Sequence, residues 1–340
     1  MPRLSHTFDL APVDHGVVVR SVAAAHAVAR ACGFDGRGWL ITPDEATVGR
    51  WEERADRLGL VDRAVARSNR ERRRAAAERL REGVEDPAEA EELAVEASTT
   101  ALQLQSGHHL EPRSHYLVSE LSPGGVPVEP VYERQGWTST GLTVTSWDPE
   151  GTSALEFAMP DRVGGGAPPV TSGTAAHDAA AGTLAMTVEV RLPGRGAWLR
   201  SARGSLTIDT AAWYAALAGR TGPAPVRLTA AHALADIEAD LSPAPREDGR
   251  WDVTATLRAR GRGPLARPLV ALAFWAVRGS YRREQRRARE GAEGVTVTSP
   301  REQLDRGARA WDRMARGAEE IPDLLHDVAR GMAEAARRGA

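Results

Sequence analysis

Val18, Val22, Ala25, Ala29 and Cys32 recur at spacings of four and three, which draws one apolar stripe along a helix over residues 16–32. Gly33 follows and suits a helix end, because glycine enters the left-handed terminal turn without steric cost. Cys32 lies on the stripe, so it reads as a buried structural thiol rather than a nucleophile. A second stripe, Val48, Trp51, Ala55, Leu58, Val61 and Val65, predicts a helix over residues 43–81 with a break near Leu58 and Gly59. A third, Leu93, Ala97, Ala101 and Leu104, predicts a helix over residues 87–105, and the two should pack as an antiparallel hairpin. Thr42-Pro43-Asp44-Glu45, Asp86-Pro87-Ala88-Glu89 and Ser299-Pro300-Arg301-Glu302 mark three helix starts. Each offers a side-chain oxygen as N-cap, a proline that has no donor to lose, and a glutamate at the third helical position.

After Gly107 the period changes. Residues 113–159 are rich in Thr, Val, Tyr and Trp and carry turn clusters at 122–125 and 148–151, which predicts several antiparallel strands. Residues 163–182 are Gly-, Pro- and Ala-rich and read as a linker or mobile loop. Alternation resumes over 186–192 and 200–209, and Asp209-Thr210 opens a short helix ending at Gly219. Two long strands, 226–241 and 251–260, follow, then a long helix over 264–290 and a helical tail from Ser299 broken at Pro322. The fold class is therefore α+β: a helical region (1–107), a first β-rich segment (108–162), a linker (163–182), an antiparallel sheet with its closing helix (183–290) and long C-terminal helices (291–340). Glu120-Leu121-Ser122-Pro123 and Asp240-Leu241-Ser242-Pro243, each leading to a tryptophan, are a faint internal similarity of the kind that hairpins produce by chance.

The helix opening at Pro264 is unusual. Leu265, Leu269, Val270, Leu272, Phe274, Trp275 and Val277 cover nearly its whole circumference, so this half should be buried or line a cavity. Trp251-Asp252-Val253-Thr254-Ala255-Thr256-Leu257, running into Gly263-Pro264-Leu265-Ala266-Arg267-Pro268-Leu269, resembles the last strand and closing helix of the SRPBCC or START-like helix-grip family. That resemblance implies a curved antiparallel sheet wrapped around a long C-terminal helix, with an apolar ligand between them. It brings no catalytic motif to carry over.

Composition narrows the chemistry. All 44 basic side chains are arginine. Without a side-chain amine the chain forms no lysine Schiff base, and it lacks the lysines of P-loops, protein kinases and β-lactamase-type acyl transfer. Arginine does not replace them as a base, because it stays protonated. The codon usage of a GC-rich genome accounts for the bias, and Asn69 as the sole asparagine agrees with it. One cysteine excludes an intrachain disulfide and a zinc ribbon. A net charge of −2 supplies no general attraction to nucleic acid or membrane. The longest apolar run, 268–277, is far short of the ~20 residues of a membrane span, and the first residues do not read as a secretory signal, so a cytoplasmic location is expected.

Several clusters could carry chemistry. Asp236, Glu238 and Asp240 share one strand face and could hold a hard cation. The next strand places Asp252, Thr254, Thr256, Arg258 and Arg260 on one face, so a solvated acidic row beside threonines and arginines is the favoured reading. His108, His109, Glu111 and His115 form the only histidine cluster, without the spacing of a known zinc motif. Gly261-Arg262-Gly263-Pro264-Leu265-Ala266 fits G-x-G-x-x-A, but the strand before it reads as half charged and as one arm of a hairpin, so a dinucleotide fold is not expected. Arg70–Arg74 and 282–287 are arginine runs. Residues 50–81 carry a net +5 and residues 82–105 a net −7, so mutual neutralisation is expected rather than specific nucleic-acid binding. No metal or other cofactor is called for.

The expected function is non-enzymatic binding of a small hydrophobic molecule or a partner's helix in an apolar cavity between sheet and long helix, with Phe274, Trp275, Leu272 and Trp251 as contact residues. The alternatives are an assembly or regulatory protein, an oligomer included, acting through its charged helices, and an enzyme built on Asp, Glu and His.

Overall fold

The computed structural model describes residues 3–123, 127–128, 140–159, 170–191, 201–264, 266–268, 270–272, 275 and 300–339. Among the described residues twelve strands form a single sheet: β1 (Arg3–Leu10), β2 (Thr99–Ser106), β3 (His115–Leu121), β4 (Pro127–Val128), β5 (Thr140–Ser146), β6 (Thr152–Ala158), β7 (Val170–Asp178), β8 (Thr183–Arg191), β9 (Ser201–Asp209), β10 (Val226–His232), β11 (Ala235–Pro245) and β12 (Trp251–Gly261). Their order is β1-β12-β11-β10-β9-β8-β7-β6-β5-β3-β2, with β4 beside β3. The helices are α1 (His15–Ala31), α2 (Glu45–Arg57), α3 (Arg63–Glu82), α4 (Pro87–Glu96), α5 (Thr210–Leu217), α6 (Pro300–Arg316) and α7 (Ile321–Gly339). The protein is α+β, and both β-rich segments belong to the same sheet.

The pleat separates two chemistries. In register across the sheet lie His6, Ala255, Leu241, Val226, Ile208, Leu184, His177 and Ser153, a mostly apolar row. Three residues along each strand, on the opposite face, the row reads Arg258, Glu238, Thr229, Ser205, Thr187, Thr174, Glu156, Thr143 and His115. There hydroxyls pair across strands, Thr174 with Thr187 and Ser205 with Thr229, both at 2.7 Å. A period of two thus leaves one face for solvent and one for a core.

The helices meet the apolar face. Leu10, Val13, Val17, Trp251, Val253 and Ala318 form the main buried cluster, joined by Trp213, Tyr214 and Trp311 from α5 and α6. The short link from β1 into α1 is tied on three sides. Ala11 donates to Asp312 (2.7 Å), Trp311 Nε1 donates to the Ala11 carbonyl (2.8 Å), and Tyr214 donates to the Val13 carbonyl (2.8 Å). Burial, with Asp14 nearby, pushes the Tyr214 hydroxyl up to about 12, so it remains a donor. α7 packs along α1 and α2. A satellite core of Ala76, Leu93 and Ala97 joins α3 to α4, the expected hairpin, but on the α3 side it uses Ala76, Ala77 and Leu80, while Val61 and Val65 of the predicted stripe are exposed.

Four expectations change. The third helix stops at Glu96, and residues 99–106 are β2. Ala101 and Leu104 fit a helical stripe, but Thr99 and Thr100 are β-branched and pairing with β3 decides the outcome. The outer edge of β2 is covered in turn by Gly38–Leu40, through Leu104 N–H to the Gly38 carbonyl (2.7 Å) and Leu40 N–H to the Leu102 carbonyl (2.9 Å). Gly38 has φ +82, and a Cβ there would stand 2.3 Å from the Leu104 oxygen, so only glycine lets the chain approach this edge. Second, residues 170–178 of the expected linker are β7, hydrogen-bonded on both sides. Small side chains suit this strand: the Phe157 ring occupies the space a Cβ at Gly173 would need. Third, the expected strand 226–241 is two strands, turning at Ala233–Leu234, where Leu234 N–H donates to His232 Nδ1 (3.2 Å). Fourth, the cap of α2 is Asp44 rather than Thr42. Its carboxylate accepts from Thr47 N–H at 2.8 Å, which holds it below the usual carboxylate range. The tail breaks at 317–320, and Pro322 lies in the first turn of α7, where its missing donor does no harm.

Candidate ligand-binding hollow

α1 crosses the apolar sheet face and leaves space beside it. One hollow of about 370 Å³ is lined by Ala29 and Cys32 of α1, Leu102, Tyr116, Leu142, Leu155 and Ala175 of the sheet, and residues near them. A second, of about 490 Å³, lies by Val18 and Val22 of α1, Ile208 and Thr210. His26, Trp147, His177 and Leu184 line both and form the wall between them. Among the described residues no Arg, Asp or Glu lines either hollow.

Each wall residue is placed by local chemistry. His26 follows Val22 by one helical turn, and their Nδ1···O distance of 3.1 Å makes Nδ1 the donor. Trp147 follows β5 and precedes a turn that Asp148 organises, accepting from Glu150 N–H at 3.0 Å while its own N–H reaches Ser153 at 3.2 Å. His177 stands in the inner row on β7, opposite Leu184 and Ser153. The His26 ring lies 5.2 Å from Trp147 and 5.4 Å from His177, centroid to centroid. Trp147 Nε1 and His177 Nδ1 are buried and have no hydrogen-bond partner among the described residues. Burial depresses the His177 pKa, His26 adds to the effect, and Asp178 opposes it. Burial also pushes the Cys32 thiol up, which suits the inert role read from its stripe.

The depressed His177 has a consequence for stability. Below about pH 6.5 the unfolded chain binds a proton there that the folded chain resists, so stability should fall as the pH drops through that value and level off once the folded group also protonates. Urea midpoints at several pH values should show this acid limb, and His177→Phe should flatten it. Identical acid limbs in both proteins would contradict the assignment.

The far end of the hollow is held by a polar chain. His109 Nε2 lies 2.8 Å from the Ala29 carbonyl, and its Nδ1 lies 2.8 Å from the Tyr116 hydroxyl, which accepts from Leu110 N–H at 2.8 Å. A carbonyl only accepts, so Nε2 carries the proton, Nδ1 accepts and Tyr116 donates. Burial pushes the Tyr116 pKa up, in keeping with a protonated donor.

The residues singled out from sequence are dispersed. Trp251 is 7% exposed in the aromatic core and lines neither hollow. Leu272 and Trp275, expected under cover, are 63% and 71% exposed, and Phe274 lies outside the described residues. Side chains around the circumference of a helix need not all find a partner surface. His109 spends both ring nitrogens on structure, and His115 faces the other way, toward Thr143 (3.2 Å). His108 and Glu111 give backbone carbonyls to Ser114. Among the described residues no three His, Cys, Asp or Glu side chains gather as a metal site would require. Asp236 and Glu238 face Arg260 and Arg258 in register, and Asp240 pairs with Arg258 and Arg227. This is the acidic row beside arginines expected from alternation. Arg262, from the glycine-rich match, clasps Asp236 on a strand-helix junction that follows an antiparallel hairpin, so no dinucleotide turn exists there. Arg70 and Arg74 pair with Glu52 and Glu45 of α2, while Arg79 pairs with Glu89 of α4. Neutralisation therefore comes mainly from the helix before the arginine run. The run at 282–287 lies outside the described residues. No described helix is long and apolar enough to cross a membrane.

Trp147 and His177 were not singled out from sequence. The only signals were a tryptophan beside a turn and a histidine within a stretch of small residues. Comparison with family models, with curated proteins and with solved structures found no match for this chain.

Proposed function

We propose that the protein binds a small, largely apolar molecule in the 370 Å³ hollow between α1 and the sheet. The supporting observation is the lining itself: mostly aliphatic and aromatic side chains, no Arg, Asp or Glu among the described residues, and a volume within the range of small-molecule sites. The covering helix in this reading is α1, rather than the helix after β12 that the helix-grip resemblance implied. The described arginine run offers the assembly alternative little support, because Arg70 and Arg74 at its two ends pair with acids of α2 within the chain.

Burying an apolar molecule here should raise stability through binding to the folded state alone. At a hundred times its dissociation constant, such a probe should add about 2.7 kcal/mol to the unfolding free energy. Naphthalene-sized probes should raise the melting temperature of the full chain. Ala175→Phe, which fills the hollow from the sheet side, should abolish that rise. No shift in the wild type, or an equal shift in the filled variant, would remove this function.

A further inference from the structure

The two edges of the sheet are finished differently. At the β2 edge the chain folds back, and Gly38–Leu40 bond to its outer backbone. β1 ends the opposite edge. It pairs with β12 in unbroken register over eight residues, without a bulge or a proline, and among the described residues no other strand or loop pairs with its outer side. A row of outward backbone donors and acceptors on a long, regular edge is a template for another chain. We infer that the partner is a second copy of this protein, whose β1 pairs antiparallel with β1 across a twofold axis at His6, so that two sheets join as one.

The choice of a second copy comes from the strand's own sequence, which is complementary to itself. Arg3, Ser5, Thr7 and Asp9 are exposed on the polar face, and Leu4, His6 and Phe8 are half-buried on the other. Antiparallel pairing centred on His6 sets Arg3 opposite Asp9, Leu4 opposite Phe8 and Ser5 opposite Thr7, each pair occurring twice. Residues directly opposite on one face stand about 4.5–5.5 Å apart at Cβ, so these become ionic, apolar and hydroxyl pairs. Within its own chain Arg3 reaches only hydroxyls, Ser5 at 3.3 Å and Thr256 at 3.4 Å, and among the described residues it has no carboxylate. Asp9 of the second copy supplies one. Arg250 bonds Asp9 through Oδ2 alone, at 2.6 Å, so Oδ1 can take a second cation. Sliding the pair by two residues sets Arg3 against Thr7, or Asp9 against Ser5, and loses the charge match. Main-chain bonds therefore supply the affinity and the two charge pairs fix the register.

Sedimentation equilibrium of the full chain at neutral pH and low salt tests this, with melting curves to show that each variant is folded. At about 100 μM the wild type should have twice the chain mass. Arg3→Asp opposes two acids at each end of the pairing and Asp9→Arg opposes two arginines, so each variant alone should raise the dissociation constant at least about tenfold. Mixed in equal amounts, the two variants complement each other at both ends and should form a dimer again. A monomeric wild type would overturn the inference. Variants as dimeric as the wild type would overturn the β1 edge as the interface. Two folded variants that stay monomeric when mixed would overturn the antiparallel register. Asp9→Arg gives up the contact with Arg250, which keeps Asp312, whereas Arg3→Asp gives up only hydroxyl contacts. Should Asp9→Arg not fold, an undiminished dimer in Arg3→Asp would overturn the proposal by itself.

Discussion

Trp251→Ala should lower the unfolding free energy by about 3–5 kcal/mol, the usual cost of truncating a large buried aromatic. Trp251 opens β12 and is surrounded by rings from two helices. Trp213 and Tyr214 of α5 meet it edge-on at 5.9 and 6.0 Å, and Trp311 of α6 lies at 6.3 Å. Those helices also fix the β1–α1 link through Tyr214 and Trp311, so a void at residue 251 would loosen the junction that holds α1 over the sheet. Neighbours tethered by hydrogen bonds relax poorly into a void, which favours the upper part of that range. Urea denaturation followed by tryptophan fluorescence should report the loss as a lower midpoint at constant slope. Trp251→Phe should be milder and should leave the naphthalene-induced rise in melting temperature unchanged, because the residue does not line the hollow. A cost below about 1 kcal/mol for the alanine variant would mean that this cluster is not a packed centre.

His109→Ala should cost about 2–3 kcal/mol. The ring joins the last turn of α1 to β3 through two hydrogen bonds of 2.8 Å, and it packs against Phe34 at 5.0 Å. Removing it leaves the Tyr116 proton without its partner and the Ala29 carbonyl with only the Cys32 N–H (3.3 Å), at the rim of an apolar space. Tyr116→Phe should cost a comparable amount, since it leaves the Leu110 N–H and His109 Nδ1 without the hydroxyl that both use. The double variant should cost less than the sum of the two, because both changes break one network. Strict additivity would show that the His109–Tyr116 bond carries no weight.

The elements legible in the sequence are those whose pattern agrees with their tertiary partners. Helix α1, the Asp86 cap and the alternation of β12 all appear where expected, although α1 buries Val17, Ala24 and His26 rather than the residues of its predicted stripe. β1 also alternates, Leu4, His6, Phe8 and Leu10 against Ser5, Thr7 and Asp9, a signal that the helical stripes nearby overshadowed. β7 has no such signal: Gly173, Ala175 and Ala176 give little contrast between faces, and pairing on both edges makes the strand. The expected apolar space lay under the helix after β12, most of which falls outside the described residues, whereas the hollow lies beside α1. Its lining is contributed by α1 and by β2, β3, β5, β6, β7 and β8, with one or a few side chains from each, and no local period records such an assembly.

The pairing of β1 with β12 bears on how the chain is made. Thr7 and Thr254, hydrogen-bonded neighbours at 3.0 Å, are 247 residues apart. At a synthesis rate of about 5–20 residues per second, β1 leaves the ribosome roughly 10–50 s before its partner strand β12. For that interval α1 lacks both the anchored β1 and the packing of α7, and its apolar face has no finished sheet to cover. The nascent protein should therefore depend on a holding chaperone until β12 emerges, and a ribosome stalled before that point should present α1 to one.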